Sequence, residues 1–298
     1  MKVLITGGTG FIGQRLIEKR LSAGDEIYCL SRDPEKVQML FPSEVSALSE
    51  LPKPDEIVVD AVINLAGEPI LDKRWNDKRK QQLRDSRIEF THDLVAWIEH
   101  QTNKPKTLIS GSAIGFYGSQ AEGVLDEESS SQPGFTYDLC AEWEKAAFKA
   151  KEFNLRVCTI RTGIVLGEGG ALAKMIPPFK LGLGGPIGRG GQWMSWIHID
   201  DEIDIIEMLL THEHLHGSFN LTSPNAVTNK QFSTTLGAIL KRPAFIPMPS
   251  FVMELLLGEG AELLLEGQNV YPKKLLDLGY EFKFTELESA LRAVVERC

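Results

Sequence analysis

Short, almost uninterrupted apolar runs alternate with amphipathic stretches through the first 160 or so residues. Lys2–Thr6, Glu26–Leu30, Ala61–Gly67 (ending in a small-residue turn), Thr107–Ser110 and Arg156–Ile160 each predict a strand, and their lack of apolar–polar alternation predicts burial on both faces. Between them, helices are expected over Gln14–Leu21, over Asp77–His100 with Leu83, Ile88, Leu94, Val95 and Ile98 as apolar positions, and over Glu142–Phe153. Strands alternating with helices predict an α/β fold, a Rossmann-type doubly wound parallel sheet covered on both faces. The Asp33–Pro54 stretch is broken by four prolines, and its elements can be placed only loosely.

Beyond Arg161 the pattern loosens. Glycines 182, 184, 185, 188, 190 and 191, with Pro177, Pro178 and Pro186, predict a mobile segment, and Lys180–Gly191 with Trp193 and Trp196 is a candidate lid with aromatic walls. Apolar segments resume at Ile203–Leu210, Phe232–Leu240 and Val252–Leu257, and Thr285 with Glu288 matches a capping box for a last helix. The expected organisation is a dinucleotide-binding domain over residues 1–168, to which later segments return. A smaller α+β lobe over 169–298 would follow, with a C-terminal module at about 248–296.

Composition narrows the function classes. A formal charge of −9 and a pI near 5.3 argue against nucleic acid or an anionic membrane as partner. No apolar run reaches the roughly eighteen residues of a membrane span, and the first strand follows Met1 directly, so a cytoplasmic protein is expected. Cys29, Cys140, Cys158 and Cys298 lack CxxC spacing and are expected to be reduced. A small-molecule substrate and a monomer or homodimer fit this picture.

The chemistry begins at Gly7-Gly8-Thr9-Gly10-Phe11-Ile12-Gly13, placed between a strand and a helix. Gly7 permits the turn, Gly10 lets phosphates approach the backbone, and Gly13 lets helix and strand pack closely. The pyrophosphate of a dinucleotide would sit on the free N–H groups of the helix start, Phe11 and Ile12 included. Leu65, Ala66 and Gly67, at the end of the Ala61 strand, are expected beside it, with Glu68 and Arg74 as further cofactor contacts.

The TGGTGFIG opening, NLAG at Asn64–Gly67, Ser110-Gly111-Ser112, Tyr137, RTGIVLG at Arg161–Gly167 and WIHIDD at Trp196–Asp201 resemble an extended short-chain dehydrogenase/reductase. AGEPI at Ala66–Ile70, KRW at Lys73–Trp75, GFYG at Gly115–Gly118, PPFKLGLGGPIG at Pro177–Gly188 and LEGQNVYPKKLLDLGYEF at Leu265–Phe282 are similar to one atypical branch. That branch is the NAD(P)-dependent "epimerase family" of predicted nucleoside-diphosphate-sugar epimerases, with a C-terminal domain of unknown function. The resemblance covers essentially the whole chain. It implies a carbonyl or hydroxyl substrate, with nucleotide sugars among the candidates.

Ser31 and Arg32 close the second strand, where an acidic residue would select NAD. A hydroxyl and a guanidinium suit a 2′-phosphate instead, so NADP is the expected cofactor, with Asp33 the weaker candidate for an NAD-type contact. The resemblance implies Ser112 (or Ser110) and Tyr137 as the pair that hydrogen-bonds the substrate oxygen. It also implies a Lys four residues after the Tyr, and here that position is Ala141. A phenol has an ordinary pKa of about 10, so without that cation Tyr137 is suited to donate a proton rather than to take one. Lys145 is a further turn along and a poor substitute. Tyr117 offers a second phenol.

Several features carry weaker readings. The missing Lys and intact phosphate turn also fit a non-catalytic NADP(H) sensor. His198 with Asp200 and Asp201 is expected to cap a helix rather than hold a metal. His212, His214 and His216 lack the spacing of a zinc site, and no metal is expected.

Overall fold

The computed structural model describes residues 1–297. Cys298 lies outside the described residues. Seven parallel strands form the central sheet: β1 (Lys2–Thr6), β2 (Glu26–Leu30), β3 (Val45–Leu48), β4 (Ala61–Asn64), β5 (Thr107–Ala113), β6 (Arg156–Thr162) and β7 (Gly217–Leu221). Their order across the sheet is β7-β6-β5-β4-β1-β2-β3. The direction of winding therefore reverses between β1 and β4, which opens a crevice at the carboxyl ends of those strands.

Successive side chains on each strand go to opposite layers, so residues two apart share one. Val3 and Ile5 join one apolar cluster with α1 (Phe11–Ser22), α2 (Pro34–Leu40) and, later in the chain, residues 203–210. Leu83 of α3 (Asp77–Arg84) belongs to a small separate cluster with Trp75, Ile88, Leu139 and Trp143, whereas Leu4 and Val62 face the other way from Val3 and Ile5, onto α4 (Phe90–Glu99) and α5 (Phe135–Phe148). The expected continuous helix over 77–100 is divided by a π turn at Asp85–Glu89. The reason is visible in its own apolar spacing. Leu83 and Ile88 are five apart, which a regular helix would place on different faces, and the wider π turn returns both to the core.

Beyond the sheet, α6 (Gly170–Lys180), α8 (Asn229–Leu240) and the final helix (Leu287–Arg297) surround a separate cluster of Leu172, Ile176, Trp196, Phe232, Leu236 and Leu291. Between them in sequence, α7 (Ile199–Thr211) returns to the main sheet, and α9 (Ser250–Leu257) buries none of its residues. Three expectations change here. Trp196 is a core residue, fully buried with its Nε1 donating to Asn225 O, and is not a lid wall. The Lys180–Gly191 stretch is tied down: Gly188 N donates to Met248 O, Met248 N to Pro186 O and Lys230 N to Gly190 O. The final helix starts at Leu287, and the capping box that forms belongs to α8, between Thr228 and Gln231.

Candidate functional site: a dinucleotide crevice

The turn between β1 and α1 has the shape a pyrophosphate requires. Gly7 adopts φ +69°, and a side chain there would collide with the Leu65 carbonyl. A Cβ on Gly13 would collide with Gly7 O, so the helix can approach the turn only as glycine. At Gly10 a Cβ would meet only Gly7 O, at 3.1 Å; its other side is open, where a phosphate can come in. Helix α1 starts with no side-chain cap and no acidic residue in its first turn. Its first N–H groups and the positive end of its dipole are thus left for an anion. Phe11 contributes its backbone there, while its ring packs on Gly167, Gly169 and Gly170. Leu65 and Ala66 touch the Gly7 turn, and Gly67 follows them along the crevice.

On the β2 side, the Ser31 hydroxyl donates to Asp33 O at 3.1 Å, and the Asp33 carboxylate caps α2 by accepting from Lys36 N. Asp33 is thereby committed to the helix. Arg32, its side chain 87% exposed, reaches Glu68 Oε1 at 2.7 Å, while Arg79 takes Oε2 at 3.1 Å. The donors from Arg32, then Arg79, hold the Glu68 carboxyl below the usual range. Arg74 is directed elsewhere: its Nη1 donates to Leu255 O at the end of α9 and its stem lies against Gly258. The expected cofactor contact from Arg74 is replaced by docking of the C-terminal segment.

Across the switch point the expected catalytic residues separate. Ser112 is buried and donates to Glu144 Oε1 at 2.7 Å. Glu144 also takes Arg161 Nε and Nη2 at 2.8 and 3.0 Å, and Ser218 Oγ at 3.1 Å. Arg161 Nη1 donates to the Tyr117 hydroxyl, which donates to Asn220 Oδ1 at 2.7 Å. Sheet register explains the assembly, since Ser112 pairs with Arg161 and Arg161 with Asn220 on adjacent strands. Tyr117 is 0% exposed and both functions of its hydroxyl are engaged, so it is a structural phenol and not a second acid for substrate. Burial pushes its pKa up, only partly opposed by Arg161. Ser110, the alternative serine, is buried beneath Asn64 Nδ2.

Tyr137 is different. It lies in the first turn of α5, half-buried, with its ring edge-on to Phe116 at 5.8 Å. Among the described residues no hydrogen bond engages its hydroxyl. Ala141 follows on the same helix and Lys145 is exposed. Sequence reading missed Glu144, Arg161, Ser218 and Asn220. The available signal was Arg161 itself, a cation at the end of an otherwise apolar strand.

The remaining groups are structural. His198 Nδ1 accepts from Asp200 N and caps α7, as expected. Among the described residues no group of three or more His, Cys, Asp or Glu is placed to hold a metal. Cys29, Cys140 and Cys158 are free and buried, and burial pushes their thiols up to about 11, 12 and 11. Among the described residues no helix is long and apolar enough to cross a membrane.

Comparison with known proteins agrees with this geometry. The model of the NAD dependent epimerase/dehydratase family matches residues 3–221, and that of a domain of unknown function, DUF1731, matches 248–294. The chain is 41% identical to the chloroplastic homolog of epimerase family protein SDR39U1 from Arabidopsis thaliana, covering 99% of this chain and 87% of that one. It is 38% identical to epimerase family protein YfhF from Bacillus subtilis, covering 99% and 98%. The crystal structure of human SDR39U1 isoform 2 with NADPH superposes with a TM-score of 0.91 at 38% identity, over the whole of both chains.

Proposed function

The chain belongs to the NAD-dependent epimerase/dehydratase family, and we propose that within it the protein is an NADP(H)-dependent reductase of a small carbonyl substrate. The observation that carries this reading is the pairing of an intact phosphate turn with a Tyr137 hydroxyl that is free to donate and has no lysine beside it. When bound, the cofactor supplies or accepts a hydride at its nicotinamide. Ser31 and Arg32 favour the 2′-phosphate form, in keeping with the NADPH held by the human relative. Tyr137 gives its proton to the alkoxide that develops as the carbonyl is reduced. Epimerisation needs the same residue to act also as a base, and Ala141 leaves it without the cation for that role. Nucleotide sugars remain one candidate class, as carbonyl forms rather than as epimerisation substrates.

The test is single-turnover oxidation of bound NADPH against a panel of carbonyl compounds, with Tyr137→Phe as control. Turnover that falls about 100-fold in the variant supports the reading. A second reading, a cofactor sensor, draws on the Ser112 hydroxyl, whose proton is directed to Glu144 rather than toward a substrate. Tight NADPH binding with no hydride transfer to any carbonyl favours the sensor.

A further inference from the structure

A dinucleotide laid across the switch point places its adenosine half over β2 and its nicotinamide half over β4 and β5. Arg32 stands on the first side. On the second stands a guanidinium that no motif singled out, Arg87, carried by the π turn Asp85–Glu89. Such turns re-aim a side chain relative to a regular helix and are frequent at functional sites. This one presses Arg87 against the crevice wall: a Cβ on Gly67 would lie 3.0 Å from its Cζ. Nη2 donates to Glu68 O at 2.9 Å, and Nη1 lies 3.3 Å from Ser86 Oγ and 3.4 Å from Leu83 O. The guanidinium lies 5.4 Å from the Trp143 ring centre on α5, beside the turn of that helix that carries Ala141.

All of these acceptors are neutral. Among the described residues no carboxylate forms an ion pair with Arg87, although Arg32, Arg79 and Arg161 each have one. Burial disfavours its charge, so an uncompensated guanidinium in this place is costly unless an anion completes it. We propose that Arg87 binds the nicotinamide-mononucleotide half of the cofactor, its phosphate and ribose. It thereby supplies from the α3–α4 helix the cation that the family pattern places on α5. The inference rests on the NADP(H) reading above.

The test is calorimetric titration with two ligands, NADPH and adenosine 2′,5′-bisphosphate, which keeps the 2′-phosphate but lacks the nicotinamide half. Arg87→Met should weaken NADPH about 10- to 100-fold and leave the bisphosphate unaffected, whereas Arg32→Ala should weaken both. Arg87→Lys, which keeps charge and stem, should lose less than Arg87→Met and carries the test if the Met variant does not fold. Unchanged NADPH affinity in the Arg87 variants overturns the proposal. So does an equal loss of both ligands, which would make Arg87 a mere support of the Gly67–Glu68 backbone. If the unsubstituted protein binds neither ligand, the NADP(H) reading itself falls.

Discussion

Glu68 and Glu144 each hold arginine, the one reaching across the switch point to Arg32 and the other lying wholly on its β5–β6 side. Glu68 meets Arg32 in the open, where that side chain is 87% exposed, and shares its other oxygen with the buried Arg79. Glu144 meets Arg161 with both oxygens, deep between β6 and α5, and takes two serine hydroxyls as well. The chemistry is the same pair of ions. Water makes the Arg32 contact weak and exchangeable, so a ligand phosphate can compete for the arginine. Exclusion of water makes the second pair obligatory, because either member alone would be a buried charge. One side of the crevice is thus built to respond and the other to stay fixed.

The largest effect should come from breaking the fixed pair. Arg161→Met leaves Glu144 without its cation and should cost about 3–5 kcal/mol in urea unfolding. The double variant Arg161→Met with Glu144→Met should be less destabilised than the sum of the two single changes, because neither charge is then left alone. A single-variant loss below about 1 kcal/mol would mean that water reaches the pair and that the contrast with Glu68 is illusory.

Glu202 sharpens the contrast, being a buried glutamate with no arginine at all. Oε1 accepts from Thr162 Oγ1 at 2.8 Å, and Oε2 has no partner among the described residues. Burial, opposed only by Thr162, pushes its carboxyl up to about 8. The folded state then keeps a proton that the unfolded state releases above about pH 4.3. Stability should fall as pH rises from there through 8 and level off beyond. Relative to Glu202→Gln, the protein should lose a few kcal/mol between pH 5 and pH 9, on the order of 1.4 kcal/mol per unit of pKa difference. Parallel stability–pH curves for the two proteins would show that Glu202 is solvated or paired.

On the responsive side, Arg32→Ala should narrow the preference for NADPH over NADH by about 1.5–3 kcal/mol, the range of a charge-assisted contact. Its folding stability should change by less than about 1 kcal/mol, because the Arg32–Glu68 pair is exposed. Equal affinities for NADPH and NADH in the unsubstituted protein, by calorimetry, would remove the assignment of Arg32 to the 2′-phosphate.

What the amino-acid sequence makes legible follows the same division. The phosphate turn is local: residues 2–13 contain the strand, the glycines and the helix start, so each requirement can be checked in a single window. Arg32 was legible for the same reason, as the residue just past a strand. The fixed side was not, since it depends on register. Ser112, Arg161 and Asn220 become neighbours only because β5, β6 and β7 pair at those positions, and β7 (GSFNL) carries too few apolar residues to announce a strand. Tyr117 looked accessible from its place after β5, and burial against β6 and β7 reverses that. The π turn was hidden too, although the five-residue step from Leu83 to Ile88 was its signature.

The smallest expected effect is also the most informative about Glu68. Its carboxylate holds Arg32 in the structure, and as an anion it would repel a 2′-phosphate brought to the same arginine. Both effects oppose NADPH, so Glu68→Gln should tighten binding of NADPH by about 0.5 kcal/mol, roughly twofold, and leave NADH nearly unchanged. Because the Arg32 contact is exposed, the gain should shrink as salt is raised toward 1 M, where the Debye length is about 3 Å. The carboxyl sits below the ordinary range, so lowering the pH to 5 should leave it ionised and the difference between the two proteins intact. Weaker NADPH binding by Glu68→Gln would reverse the sign. Glu68 would then be accepting a hydrogen bond from the cofactor's ribose, and the responsive pair would be a ligand contact on both of its halves.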